Sequence, residues 1–165
     1  MAKSNTPCDE LCTSQQSKLV AISVGRRNNQ PLIIAGLYRP PSGTQDQAEQ
    51  ICTEVQELVR NHAHASFWLP EDFKLPDISW EHNNISGNQN ALGVNNAFLT
   101  LVEDNGFQQM VDFSTRNSAT MDLFLTNRPS LINRLKPIPG INDHEVIDSD
   151  VQAKLRRPTS RKIFL

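Results

Sequence analysis

Short apolar runs, separated by polar turns, set the pattern of the chain. Residues 19–24 (LVAISV) are rich in β-branched side chains and predict a strand. Residues 31–37 (PLIIAGL) predict a second, and the polar Arg26-Arg27-Asn28-Asn29 turn between them predicts an antiparallel hairpin. Pro40 and Pro41 remove two backbone donors, so sheet pairing must stop there. From Asp46 to Asn61 the period changes. Ile51, Val55, Leu58 and Val59 share one helical face, with Thr44 or Asp46 placed to cap its start. Residues 65–69 (ASFWL) read as a buried strand that delivers Glu71, Asp72, Phe73 and Lys74 to its end. Val94, Ala97, Phe98, Leu101 and Val102 mark a second amphipathic helix, and Gly106 suits its C-terminal stop. Strands follow at 107–111 (FQQMV) and 121–126 (MDLFLT), with an edge strand at 132–138 and a last strand starting at 145–147. Helices lying between strands predict an α/β layered sandwich, α+β in character, on mixed sheets.

At 165 residues the chain is the length of one domain, and at 38% hydrophobic residues it can bury a core. The divisions expected are a polar, weakly ordered lead-in at 1–17, a folded domain at 18–150 and a basic tail at 151–165. The formal net charge of −2 excludes a global basic field, so any contact with nucleic acid rests on local groups. Lys154, Arg156, Arg157, Arg161 and Lys162 form one such group, read here as a solvated tail. Cys8, Cys12 and Cys52 are an odd set with no CxxC pair, which fits neither a disulfide framework nor a zinc site. That usage points to a reducing, intracellular compartment, nuclear or cytoplasmic. No apolar run approaches the roughly 20 residues of a membrane span.

Three acids sit where strands end or begin: Asp72 after ASFWLPE, Asp122 within MDLFLT, and Asp143 beside His144. A carboxylate inside an apolar strand requires a partner, and His144 is a chemically apt one for Asp122. An Asp accepting from one imidazole nitrogen fixes the tautomer and raises basicity at the other. Asp143 is suited to a hard cation. Plainer readings stand beside these. Asp-His dipeptides commonly lie in surface turns, Asp72 with Pro76 and Asp77 also reads as turn chemistry, and Asp122 also reads as bonded to a neighbouring amide.

Four blocks carry a resemblance: YRPPS (38–42), EDFKLPDISW (71–80), STRNSATMDLFLTN (114–127) and NDHEVI (142–147). In this order they resemble the endonuclease/exonuclease/phosphatase superfamily, and most of all the endonuclease found upstream of reverse transcriptase in non-LTR retrotransposons. There the blocks read YRPP, GDFN-x-P-x-x-x-W, TR-x-x-x-x-LDL-x-x-TN and SDH. The resemblance implies an incomplete four-layer sandwich of that fold, with mixed, mostly antiparallel sheets. It implies hydrolysis of a DNA phosphodiester assisted by Mg²⁺ or Mn²⁺. By position it makes His144 the general acid/base, Asp122 its orienting partner, Asp72 the group acting on the attacking water and Asp143 an acid near the metal. Lys74 stands where the family has asparagine and remains able to hold a phosphate oxygen. Tyr38 and Arg39 fall in the segment that approaches the substrate phosphate, and Thr115 and Arg116 are placed to touch DNA or brace the site. Trp80 reads as a core or loop anchor. DNA and a downstream reverse transcriptase domain are the implied partners.

The sequence departs from that pattern. Glu71 replaces the glycine of GDFN, which adds a side chain and a charge beside a phosphate site. Lys74 turns an amide that donates and accepts into a donor-only cation. Asn142 replaces the serine of SDH. The family's two first strands, with their asparagine and metal-binding glutamate, have no counterpart before residue 19, and Glu10 lies in no strand pattern. The expectation is an N-terminally truncated endonuclease copy with impaired catalysis. The alternatives are a non-catalytic remnant or weak binding module of the same fold, and a sugar- or lipid-phosphate phosphatase.

Overall fold

The computed structural model of the chain describes residues 8–14, 18–26, 30–40, 43–116, 119–140 and 145–154. Its centre is a six-stranded mixed sheet. In chain order the strands are β1 (Cys8–Thr13), β2 (Val20–Val24), β3 (Leu32–Gly36), β4 (Ser66–Asp72), β7 (Gln108–Gln109) and β8 (Asp122–Thr126). In space they run β1-β2-β3-β4-β8-β7. β3 and β4 are parallel, and every other neighbouring pair is antiparallel. Two short hairpins stand apart, β5 (Ile78–Ser79) with β6 (Asn84–Ile85), and β9 (Ile132–Ile138) with β10 (Val146–Val151).

The hairpin expected at 19–37 is β2–β3, paired from Val20↔Gly36 to Val24↔Leu32. The lead-in expected to be weakly ordered instead supplies β1, which pairs along β2 with an irregularity between Glu10 and Cys12. Its sequence, CDELCT, is mostly polar because an edge strand needs main-chain donors and acceptors rather than an apolar face. The strand expected at 107–111 shortens to two residues: Gln109 turns its side-chain amide onto the Val111 carbonyl and so ends the ladder.

The parallel pair needs a crossover, and α1 (Gln45–Asn61) provides it. Thr44 and Gln47 close a capping box: Gln47 N–H donates to Thr44 Oγ1 at 3.3 Å, and Thr44 N–H donates to Gln47 Oε1 at 3.1 Å. Ala48, Ile51, Cys52, Val55 and Leu58 face inward. Each large apolar side chain buried in this way contributes about 1.5–3 kcal/mol before ordering entropy is counted. Burial pushes the Cys52 thiol up to about 12, so it serves as a packing group. α2 (Leu92–Asp104) lies against α1 and stops before Gly106, whose φ of +60° is left-handed and open to glycine at no steric cost.

Both helices cover one face of the sheet. Ala21, Ile33, Ala35, Phe67, Leu69, Leu123 and Leu125 point into that layer with Val55, Phe98 and Leu101. Alternation along the strands sends Ile22, Ile34, Trp68 and Phe124 to the opposite face, where Trp68 and Phe124 meet with ring centroids 5.8 Å apart. Trp80 packs against the core, as its reading as an anchor expects.

Candidate functional site

β4 and β8 end side by side. Their register runs from Trp68↔Thr126 to Asp72↔Asp122, so the last pair is two carboxylates on the same face of the sheet. β4 carries Asp72 just past Pro70, where the chain leaves the apolar core. Phe73 N–H donates to Met121 O at 3.1 Å and holds the strands together at this end.

Lys74 follows with φ +52°, in the left-handed region, and its ammonium lies 3.5 Å from Asp72 Oδ2. Asp72 Oδ1 is buried and has no hydrogen-bond partner among the described residues. Glu71, at the position of the family's glycine, folds back on the backbone. Its carboxylate accepts from Leu37 N–H at 3.2 Å, beyond the end of β3, and from Asp72 N–H at 3.1 Å. Burial pushes the Glu71 carboxyl up and the charges of Asp72 and Asp122 push the same way, against the pull of those two N–H groups.

Arg39 lies beneath the site. It is 3% exposed, and its guanidinium donates to Phe73 O at 3.3 Å, to Lys74 O at 3.2 Å and to Asn90 Oδ1. Burial pulls Arg39 below its ordinary value, and the charge of Asp72 opposes that pull. Where the sequence places Arg39 at the substrate, the fold ties it to the main chain of the Asp72–Lys74 segment. Tyr38, the preceding residue, is 46% exposed, with Lys18 Nζ 4.8 Å and Lys74 Nζ 5.5 Å from its ring centroid.

Two further groups brace this region: Asp77, which the sequence offered only as turn chemistry, and Thr115, which it offered as a DNA contact or a brace. Asp77 is buried and accepts from Gln89 N–H (2.8 Å), Asn90 N–H (2.6 Å) and Asn95 Nδ2 (3.2 Å). Burial pushes its carboxyl up, but these donors prevail and hold it below the usual range. Asn90 in turn donates to Lys74 O at 3.2 Å, so one loop links Asp77, Arg39 and the Lys74 backbone. Thr115 is fully buried. Its Oγ1 accepts from Met121 N–H (3.0 Å) and Asp122 N–H (2.9 Å), and its carbonyl accepts from Glu145 N–H at 2.9 Å. The TR…MDL spacing signalled Thr115. Nothing in the sequence separated Asp77 from an ordinary turn residue.

Of the residues singled out from sequence, Asp72, Lys74 and Asp122 come together, with Tyr38 beside Lys74. Arg116 is half-buried and pairs through its backbone with Ala119. Asn142, Asp143 and His144 lie outside the described residues, as do 155–165 of the basic tail. Among the described residues no three His, Cys, Asp or Glu side chains gather at metal-binding distance. The orphaned oxygen of Asp72 fits a hard cation, whereas a closed ligand shell is not formed by the described residues. None of the described helices is long and apolar enough to cross a membrane.

No protein-family model and no curated protein matches the sequence. Solved structures do. An endonuclease/exonuclease/phosphatase family protein from Bacteroides thetaiotaomicron aligns with TM-score 0.51 at 11% identity, over 79% of this chain and 52% of its own. A mannosyl-6-phosphatase from the same organism aligns with TM-score 0.49 at 11% identity, over 81% of this chain and 56% of its own. The catalytic domain of human Nocturnin, bound to sulfate, aligns with TM-score 0.40 at 13% identity, over 87% of this chain and 59% of its own. The first of these alignments gives the chain an endonuclease/exonuclease/phosphatase-like fold, and the chain spans about half the length of that structure.

Proposed function

We propose that this chain is a phosphodiester hydrolase domain of the non-LTR retrotransposon endonuclease type, with weakened catalysis. The observation that carries this reading is the register Asp72↔Asp122, with the Lys74 ammonium on Asp72. The four motif blocks give that cluster its chemistry. Asp72 takes the proton of an attacking water as the new P–O bond forms, and His144 gives a proton to the oxygen whose bond to phosphorus breaks. Asp122 orients His144, and Lys74 holds a non-bridging phosphate oxygen. Asp143 would hold Mg²⁺ or Mn²⁺, which when bound neutralises charge on the phosphate.

Glu71 supports the weakened state. It adds a carboxylate beside Asp72 and Asp122, raising negative potential where a phosphate must approach. The proposed substrate is DNA, and the proposed setting is an intracellular polyprotein with a reverse transcriptase domain.

The test is nicking of supercoiled plasmid in millimolar Mg²⁺, compared with Asp122→Asn and His144→Ala. Slow, EDTA-sensitive nicking lost in both variants is the expected result. Equal cleavage by all three proteins sinks the reading, and release of phosphate from small phosphomonoesters without nicking turns it toward a phosphatase.

A further inference from the structure

Lys18 and Tyr38 belong to different segments, yet they meet beside the candidate site. Lys18 is exposed, and its ammonium sits 4.8 Å from the Tyr38 ring centroid. The same ring receives Lys74 at 5.5 Å, and Lys74 contacts Asp72 at 3.5 Å. A continuous path thus leads from the carboxylate pair through Lys74 and the ring to Lys18. Two like charges converge on one aromatic side chain, which is unfavourable unless an anion lies near them. Asp72 serves Lys74, while among the described residues no carboxylate pairs with Lys18. Tyr38 keeps 46% of its surface in solvent, so the ring is open to a ligand as well as to the ammonium groups. In a chain of net charge −2, such a local group is what a polyanion has to grip.

We propose that Lys18 and Tyr38 hold a backbone phosphate of nucleic acid beside the one that is cleaved. The proposal rests on the phosphodiesterase reading and extends it to a residue outside every motif block. Lys18 supplies the charge. Tyr38 steers the ammonium through its π face and offers its exposed surface to the adjoining sugar or base.

The experiment is binding of a short fluorescein-labelled DNA duplex, followed by anisotropy in EDTA across a range of salt. Removing one phosphate contact lowers the slope of log K against log salt by about 0.9. Lys18→Ala is expected to show that drop with an unchanged melting temperature. Lys18→Arg is expected to restore the slope, Tyr38→Phe to bind as wild type and Tyr38→Leu to bind more weakly. Identical slopes for wild type and Lys18→Ala, or no measurable binding by wild type, overturn the proposal. Nicking by the wild-type chain is scored separately. Loss of the slope change with nicking intact removes the patch alone, and a slope change without nicking removes the catalytic reading.

Discussion

Asp72 and Asp122 are Cα partners at the last rung of the β4–β8 ladder. Directly opposed side chains on one face stand about 5 Å apart at Cβ, so two carboxylates there repel and favour a cation between them. The Lys74 ammonium, 3.5 Å from Asp72, meets part of that demand. The same repulsion makes the rung suited to a ligand that brings positive charge.

Glu71→Gln is expected to flatten the dependence of stability on pH. The Glu71 carboxyl titrates above its ordinary 4.5 in the folded chain, chiefly through burial. A raised folded value means the contribution is fully present below the ordinary value and is lost as pH rises through the raised one. Urea denaturation between about pH 4 and 7 should show wild type losing ground to Glu71→Gln as the pH climbs. Parallel curves for the two proteins contradict this.

Lys74 tests the backbone at the site. Its φ of +52° suits asparagine, the residue of the family pattern, and opposes β-branched side chains. Lys74→Val is expected to destabilise by about 2 kcal/mol, and Lys74→Asn by less, since asparagine keeps the left-handed backbone and gives up only the partly buried ion pair with Asp72. Thermal melts of the two variants decide it.

Asp77→Ala leaves three donors without an acceptor in a buried loop. A loss of about 3 kcal/mol is expected by chemical denaturation. Asp77 titrates below its ordinary value when folded, so its contribution is present above that ordinary value and disappears as pH falls through the depressed one. The gap between Asp77→Ala and wild type should accordingly narrow in acid. Gly87→Ala should mimic the defect, since a Cβ there collides with the Asp77 carboxylate.

Thr115→Val removes the shared acceptor of Met121 and Asp122 while keeping the side chain's shape. A destabilisation of about 2 kcal/mol and slower nicking are expected, with Thr115→Ser close to wild type on both counts. Nicking unaffected by Thr115→Val would mean that this hydroxyl does not set the position of Asp122.

Periodicity in the sequence announced α1, α2 and the β2–β3 hairpin because each buries a regular apolar face. It also announced β4 and β8, whose apolar runs lie inside the sheet. β1 escaped notice because an edge strand is held by main-chain hydrogen bonds and carries no required apolar pattern. Lys18 and Arg39 show the limit for the site. Lys18 belongs to no motif and drew no reading from the sequence, yet lies on the Tyr38 ring; Arg39 looked like a substrate ligand and braces carbonyls from below. Both roles come from contacts between segments distant in the chain, which no local pattern encodes. Asp72 and Asp122 were legible because each breaks an apolar strand, and their register follows from the pairing of those strands.

β1, β2 and β3 pair in chain order with few residues between them, but the Asp72–Asp122 rung joins positions about fifty residues apart. Such a long loop pays its closure entropy before any contact across it forms. β8 meets that cost from inside the sheet: it lies between β4 and β7 with Leu123, Phe124, Leu125 and Thr126 buried. The candidate site is hence a product of tertiary pairing: a chain lacking β8 keeps Asp72 but loses its partner across the rung.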